Sequence, residues 1–438
     1  MNLKEFTKRR IRLMDMIGED SIVILPSTPI SYRNRDVEHP YRPDSDFYYL
    51  TGYPEPDAVA VLIPKRKQGE FILFCRERDP KMEIWTGPYI GQERACSVYG
   101  ANDAFPINDI DEILPGLLED REKVYYTMGS YQEFDHRLME WLNQIRQKSR
   151  AGVHTPAEFV ALDHLLHEMR LFKSTGEIKA MRRAAMISAA AHRRAMQVCT
   201  PGMMEYQIEA ELIHEFMRNG CRSPAYPPIV GGGSNACILH YTDNCAVLNN
   251  GDMLLIDAGA EYDGYAADIT RTFPVNGRFT KLQAMIYEVV LAAQEAAIKK
   301  VKPGNHWNDP HKAAVRVLTK GLLELGLLKG SLRELIKAEA YRRFYMHRTG
   351  HWLGMDVHDV GDYKIGNAWR LLESGMVLTI EPGIYIPEHS KGVAKKWWNI
   401  GIRIEDDVLV TRDGNEVLSR DAPKSIAEIE SIMAGETV

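Results

Sequence analysis

Apolar positions in the first third of the chain cluster in short continuous runs. Each run has the length of a β-strand and is bounded by Pro, Gly or Asp, which is typical of strands separated by turns. The runs are SIVILP (21–26), AVAVLIP (58–64) and EFILFC (70–75). The pattern predicts a mixed α/β domain at the N-terminus.

After residue 170 the apolar positions recur with the spacing of a helix. Ser174 and Glu177 stand three residues apart, which predicts a capping box at the start of a helix. We therefore expect an N-terminal α/β domain over residues 1–172 and a second domain over 173–438.

The second domain repeats one order of elements. Helical patterns precede strand patterns twice, which predicts two pseudo-symmetric halves with a cleft between them. The first half has predicted helices at about 175–198 and 204–219 and strands at 226–248 and 253–274; the second has helices at about 281–301, 308–327 and 331–342 and strands up to about 411. We interpret GlyGlyGlySer (231–234) as a flexible cleft loop, because no Lys-Ser/Thr follows it as in a phosphate loop.

Composition narrows the function classes. The 438 residues include 54 Lys+Arg and 60 Asp+Glu, a net charge of -6, and 45% are hydrophobic. The sequence has no block of like charge that would indicate nucleic-acid binding. It also has no run that approaches the roughly 18 apolar residues of a membrane span. The first twenty residues lack the apolar core of a signal peptide, and six scattered cysteines form no CxxC pair. We expect a cytoplasmic protein with no nucleic-acid or membrane partner.

Two aspartates flank a predicted hairpin. Asp-Gly at 263–264 favours a type I′ turn, which would pair Tyr262 with Tyr265. In that register Asp257 lies opposite Thr270, and Asp268 shares its face of the hairpin. Such diagonal neighbours are roughly 7–8 Å apart at the backbone, so their carboxylates can converge on one ion.

Two glutamates end further apolar strands. Glu381 follows MetValLeuThrIle, and Glu405 follows IleGlyIleArgIle. Alternation puts the isoleucines of the second strand on one face, with Arg403 and Glu405 on the other. One such acid alone can simply face solvent at a strand end. Four of them on apolar strands would cost several kcal/mol each to bury without cations, which favours a metal site.

Three histidines lie within a dozen residues, at positions 347, 351 and 358. The HxxxH spacing is that of a zincin helix, but Arg348 stands where that motif needs Glu, and neighbouring glycines disfavour a helix. We expect a tight loop leading into a strand. A fourth histidine, His240, is predicted on a strand entering the same region.

Together these segments resemble the dinuclear site of the pita-bread metallopeptidases, which include methionine aminopeptidase, prolidase, aminopeptidase P and the metal-free creatinase. The order Asp, Asp, His, Glu, Glu agrees, and residues 33–52 and GluIleTrp at 83–85 further resemble aminopeptidase P. The resemblance implies a pita-bread catalytic domain after an N-terminal domain that serves oligomerisation and lines the cleft.

The resemblance also implies roles for individual residues. Asp257 would bind one metal, Asp268 and Glu405 would bridge two, and His351 with Glu381 would complete the other. Two divalent ions are implied, Mn²⁺ in the first place, with Co²⁺, Fe²⁺ or Zn²⁺ compatible with these ligands. The resemblance implies that His240, His347 and His358 bind the substrate and stabilise the oxyanion that forms on its carbonyl. Glu381 would transfer a proton, and Arg403 would hold the acidic residues in place. The residues implied to line the cleft are Asp36, Trp85 and Tyr385.

The implied function is removal of the N-terminal residue from peptides with proline in second position. A prolidase, restricted to Xaa-Pro dipeptides, is the alternative within the same chemistry. A non-catalytic binding module and a metal-free creatinase-type hydrolase are the alternatives outside it. Trp85 resembles a residue that reaches a neighbouring subunit's site in tetrameric members, so a homo-oligomer, dimer or tetramer, is expected.

Overall fold

A computed structural model describes residues 2–436, so the outermost residues of both predicted domains, Met1 and 437–438, lie outside it. The chain divides into two compact units, with the division between Met169 and Arg170. Each unit combines helices with strands around its own buried core, as the hydrophobic pattern predicts.

The N-terminal unit is built on a mixed sheet. Its strands are β1 (Ser21–Pro26), β2 (Tyr32–Asn34), β3 (Val37–Glu38), β4 (Val59–Leu62), β5 (Phe71–Cys75), β6 (Asp103–Pro106), β7 (Lys123–Tyr125) and β8 (Glu158–Val160). Its helices are α1 (Leu3–Ile17), α2 (Ser45–Thr51), α3 (Glu83–Thr86), α4 (Gly91–Ser97), α5 (Ile110–Leu118), α6 (Gln132–Gln147) and α7 (Asp163–Leu171), in which the division falls. The sheet order is β6-β5-β4-β1-β7-β8. Strands β1, β4 and β5 are buried at every residue, which explains why their sequences are continuous apolar runs.

The C-terminal unit carries two successive sets of helices and strands. Its helices are α8 (Thr175–Val198), α9 (Glu205–Arg218), α10 (Lys281–Ile298), α11 (Asn308–Glu324), α12 (Leu332–Lys337) and α13 (Ile426–Met433). Its strands are β9 (Ile229–Gly232), β10 (Met253–Asp257), β11 (Glu261–Tyr262), β12 (Tyr265–Ala266), β13 (Thr270–Pro274), β14 (Lys364–Ile365), β15 (Ala368–Trp369), β16 (Val377–Ile380), β17 (Gly383–Ile386), β18 (Ile400–Arg403), β19 (Asp406–Val410) and β20 (Asn415–Val417).

The two halves of this unit have the predicted order. Helices α8 and α9 pack together and precede the sheet β13-β10-β9, while α10 and α11 pack together and precede the sheet β16-β19-β20. The predicted capping box starts α8, since the Ser174 side chain accepts from the Glu177 backbone and the Glu177 side chain accepts from the Ser174 backbone. One continuous apolar core is shared by both halves.

The glycine-rich segment is not the flexible loop that we expected. Gly231 and Gly232 lie in the buried strand β9 and pair with β10. A Cβ at Gly231 would come 2.9 Å from the Asn235 carbonyl carbon, and one at Gly232 would come 2.6 Å from the Leu248 side chain. These glycines are therefore needed for close packing rather than for flexibility.

Two other expected elements are shorter than predicted. Most of the strand expected over 226–248 is irregular, and His240 lies in a turn rather than on a strand. The helix expected over 331–342 ends at Lys337 because Glu339 adopts a left-handed conformation, with φ of 51°, before a short 3-10 helix at Ala340–Arg343.

Across residues 2–436, every helix is too short or too polar to span a bilayer.

Candidate metal centre and active site

The predicted hairpin supplies the first two carboxylates of the site. Strands β11 and β12 pair Tyr262 with Tyr265, and the turn residues Asp263 and Gly264 have φ of 51° and 79°, as a type I′ turn requires. The same register continues to Asp257, which lies opposite Thr270 in β10 and β13. The sequence-based prediction of this pairing is confirmed.

A tyrosine hydroxyl shows how closely the two aspartates converge. Tyr226 Oη lies 2.6 Å from Asp257 Oδ1 and 2.6 Å from Asp268 Oδ1. The backbones can approach because position 259 is glycine: a Cβ there would come 1.7 Å from the Ala267 carbonyl oxygen. Both carboxylates are therefore held around a single hydroxyl.

His351 lies in an irregular segment rather than in the predicted tight loop leading into a strand, since only an isolated bridge between Trp352 and Leu378 follows it. Its backbone runs along β16, since the Thr379 N–H donates to the His351 carbonyl at 3.0 Å and the His351 N–H donates to Thr379 Oγ1 at 3.1 Å. A Cβ at Gly350 would come 2.0 Å from the Thr379 carbonyl oxygen, so only glycine allows this approach. The ring Nδ1 lies 2.9 Å from the Trp352 carbonyl, and Nε2 lies 3.3 Å from Asp268 Oδ2. A proton on Nδ1 would leave Nε2 as the ligand atom.

The glutamates follow two strands that end at the same place. Glu381 comes directly after β16, and Glu405 lies between β18 and β19. Arg403 and Glu405 face a common cavity, whereas Ile402 and Ile404 are fully buried in the core. The alternation predicted for this strand is confirmed.

One cavity of about 880 Å³ collects every predicted site residue of the C-terminal unit except Tyr385. Asp268, His351 and Glu405 each place a ligand atom within 4.8 Å of the others. The predicted residues on its lining are Asp257, Asp268, His351, Glu381, Glu405, His240, His347, His358 and Arg403. Carboxylate oxygens with one imidazole nitrogen are a suitable donor set for a hard or borderline divalent cation.

The electrostatics of this cluster also fit a cation. Burial, together with the neighbouring acids, raises the pKa of Glu405 well above its usual value, and burial raises that of Glu381 to about 7. Burial lowers the pKa of His351, but Asp268 and Glu381 outweigh this and raise it to about 9. These carboxylates thus stabilise positive charge beside them, and a bound divalent ion would supply that charge.

A buried chain of polar groups supports the cluster from behind. The Arg403 guanidinium donates to Asp257 Oδ2 at 2.7 Å, to Thr270 Oγ1 at 3.0 Å and to Tyr385 Oη at 3.1 Å. Tyr385 Oη lies 2.9 Å from His347 Nε2. Tyr385 is fully buried and is not among the residues that line the cavity, so its predicted contribution to substrate binding remains a prediction.

The three accessory histidines differ in environment. Burial lowers the pKa of His347 to about 3, which keeps its imidazole neutral. The His358 ring centroid lies 4.4 Å from that of His351 in an edge-to-face arrangement, while His240 and His358 are both exposed to the cavity.

Asp36 and Trp85 lie in the N-terminal unit. Asp36 is in the exposed turn between β2 and β3, and the Trp85 side chain in α3 is 83% exposed. Their proposed contribution to substrate binding remains a prediction.

The structure adds residues that sequence reasoning missed. Tyr226 is flanked by prolines in Ser-Pro-Ala-Tyr-Pro-Pro (223–228), a local signal for a fixed loop but not for contact with two acids. Trp307, Tyr363 and Trp369 also line the cavity. The Trp307 ring centroid lies 4.7 Å from that of Tyr363, although the two are 56 positions apart in sequence.

Comparison with known families covers both units. Residues 179–412 match the model of metallopeptidase family M24, and residues 6–125 match the aminopeptidase P N-terminal domain. The M24 match includes the hairpin aspartates, the histidine segment and both glutamates.

Individual relatives match over nearly the full length. The Xaa-Pro aminopeptidase of Escherichia coli is 45% identical over 431 residues, covering 98% of this chain and 97% of the relative. The solved structure of an aminopeptidase from Pseudomonas aeruginosa is 59% identical, covering 99% of this chain and 98% of that one, with a TM-score of 0.99. A zinc-substituted Escherichia coli aminopeptidase P in complex with product is 44% identical over 100% of this chain and 99% of that one, with a TM-score of 0.97.

Proposed function

This chain belongs to metallopeptidase family M24, and from that membership we propose that it removes the N-terminal residue from peptides with proline in second position. The observation that carries the proposal is the convergence of Asp257, Asp268, His351, Glu381 and Glu405 on one cavity. The full-length similarity to Xaa-Pro aminopeptidases supports the choice of substrate.

We propose that these five residues hold two divalent cations. Asp257 would help to hold one cation, Asp268 and Glu405 would contribute to both, and His351 with Glu381 would complete the second. Manganese is the proposed metal, because the set is rich in hard oxygen donors. When bound, such cations polarise a carbonyl group and lower the pKa of a water molecule towards 7.

The surrounding residues then act on the peptide. His240 and His358 donate hydrogen bonds to the oxygen of the scissile carbonyl, where negative charge develops during attack by water. Glu381 accepts the proton of that water and delivers it to the prolyl nitrogen, which leaves as a secondary amine. No serine or cysteine nucleophile is required by this scheme.

Further residues orient the reacting groups. Arg403 fixes the Asp257 carboxylate and, through Tyr385, the ring of His347. The neutral His347 ring is a suitable wall for a proline side chain, because burial keeps the imidazole uncharged. Asp257 also provides a negative charge near which the substrate's free α-amino group can bind, restricting cleavage to the first peptide bond.

Three peptides test the proposal directly. Ala-Pro-Ala should release alanine, whereas Ala-Ala-Ala and N-acetyl-Ala-Pro-Ala should be resistant, as followed by mass spectrometry with added Mn²⁺. Cleavage of the dipeptide Ala-Pro alone would instead identify a prolidase. Asp268→Asn should abolish release, while the matched change Asp413→Asn, at an exposed position, should not.

We propose that the enzyme is a cytoplasmic homo-oligomer, a dimer or a tetramer. All six cysteines are free, which suits a reducing compartment. Ile84 and Trp85 in α3 expose 82% and 83% of their surface, which supports a contact with a second subunit there. Sedimentation analysis of the parent and of Trp85→Ala tests the proposal, with a smaller species expected for the variant.

A further inference from the structure

Two cationic side chains lie beside one aromatic ring at the cavity wall. Arg348, Lys364 and Trp369 all line the cavity. Strands β14 and β15 pair Lys364 with Trp369, which places the Lys364 Nζ 4.6 Å from the centre of the indole ring. The Arg348 guanidinium carbon lies 5.0 Å from the same ring.

Neither cation is neutralised by an acid of the described residues. Arg348 donates to the neutral Asn308 Oδ1 at 2.5 Å, and Lys364 is exposed. Asp362 also lines the cavity but forms no ion pair with either of them within residues 2–436. The buried cation Arg403, by contrast, is paired with Asp257 at 2.7 Å.

Contact with the indole ring does not use the hydrogen-bonding capacity of these cations. A cation–π contact orients the charge over the ring but leaves the N–H donors available. An arginine fork and a lysine ammonium are both suitable donors to a carboxylate, and here both line the same cavity. The register of β14 and β15 places Lys364 opposite Trp369 on the cavity wall.

Resting on the proposed function, we propose that Arg348 and Lys364, held against Trp369, form a subsite for a carboxylate of the peptide substrate. Three carboxylates can supply this chemistry: the side chain of an acidic first residue, the side chain of an acidic third residue, or the C-terminus of a tripeptide. The enzyme then prefers peptides that carry the relevant carboxylate over their uncharged counterparts. Because the subsite is exposed, the preference weakens as ionic strength rises.

Pairs of peptides that differ in one carboxylate show which of the three carboxylates binds at the subsite. The pairs are Glu-Pro-Ala with Gln-Pro-Ala, Ala-Pro-Glu with Ala-Pro-Gln, and Ala-Pro-Ala with its C-terminal amide. We expect kcat/KM of the Mn²⁺-loaded enzyme to favour the acid about fivefold in at least one pair at low salt, the upper range for an exposed ion pair. Arg348→Gln and Lys364→Gln should each reduce that ratio, and the double variant should bring it close to one.

Lys329→Gln is the matched control, because Lys329 is an exposed lysine outside the cavity lining. It should retain the parental ratio. Equal rates within all three pairs, or a preference that survives in the double variant, would overturn the proposal. Failure of the proposed function is distinguishable, since the parent enzyme would then cleave none of the six peptides. The ratio is taken within one protein, so partial loss of folded variant does not affect it.

Discussion

Replacing Tyr226 with phenylalanine removes one hydroxyl from the centre of the carboxylate cluster. That hydroxyl lies 2.6 Å from an oxygen of Asp257 and 2.6 Å from one of Asp268. Phenylalanine keeps the ring and its packing. Without the hydroxyl the two carboxylates repel each other and separate, so a cation must bring them together again when it binds.

The structure sets the size of the effect. One hydroxyl proton donates to a charged acceptor, and such a hydrogen bond contributes about 1.5–3 kcal/mol. Since about 1.4 kcal/mol corresponds to a tenfold change in an equilibrium constant, Tyr226→Phe should weaken metal binding about tenfold to a hundredfold. The same range is typical for loss of a group that orients a metal ligand.

Titration calorimetry of the chelator-treated protein with Mn²⁺ measures this directly. Tyr287→Phe is the matched control, because its fully buried hydroxyl donates to the Lys424 carbonyl at 2.7 Å, outside the cavity lining. We expect this control to lower the melting temperature slightly and to leave the Mn²⁺ affinity unchanged. A Tyr226→Phe protein that binds Mn²⁺ within twofold of the parent would refute the orienting role, as would an equal loss in the control.

Other changes probe the framework of the site. Asp359→Asn should destabilise the protein by about 3–5 kcal/mol in urea unfolding, because Asp359 is paired with Lys173 at 2.9 Å and Arg170 at 2.6 Å in the interior. Burial would raise the pKa of Asp359, but these two cations outweigh it and lower the pKa. The contribution is therefore complete above pH about 4 and is lost as the pH falls further, so the parent and the variant should converge in acid. Gly350→Ala should abolish hydrolysis while the protein stays folded by circular dichroism, because its Cβ would meet the Thr379 carbonyl oxygen at 2.0 Å and displace the following histidine. Chelation should remove activity and lower the melting temperature, and Mn²⁺ should restore both; full activity in a metal-free preparation would contradict the metal mechanism.

Local rules in the sequence determined much of the catalytic framework. The Asp263-Gly264 turn fixed the register of the hairpin, because its positive φ angles suit these residues. Alternation along β18 placed Arg403 and Glu405 on the face opposite the isoleucines, and the capping box fixed the start of α8. These features depend on residues close together in the chain, so they can be predicted without the fold. The identity of the remaining ligands was inferred from resemblance to a known family rather than from such rules.

Tertiary structure alone decided which distant groups meet. Tyr226 contacts an aspartate 42 positions away, and Arg403 contacts Asp257 across 146 positions, with no periodic signal to connect them. The glycines of β9 were misread for the same reason, since the atoms that exclude a Cβ come from neighbouring segments. The carboxylates at the centre of the cavity likewise become buried and close to one another only because separate strands end there. Periodicity constrains the direction of a side chain, whereas its partners are determined by how the elements pack.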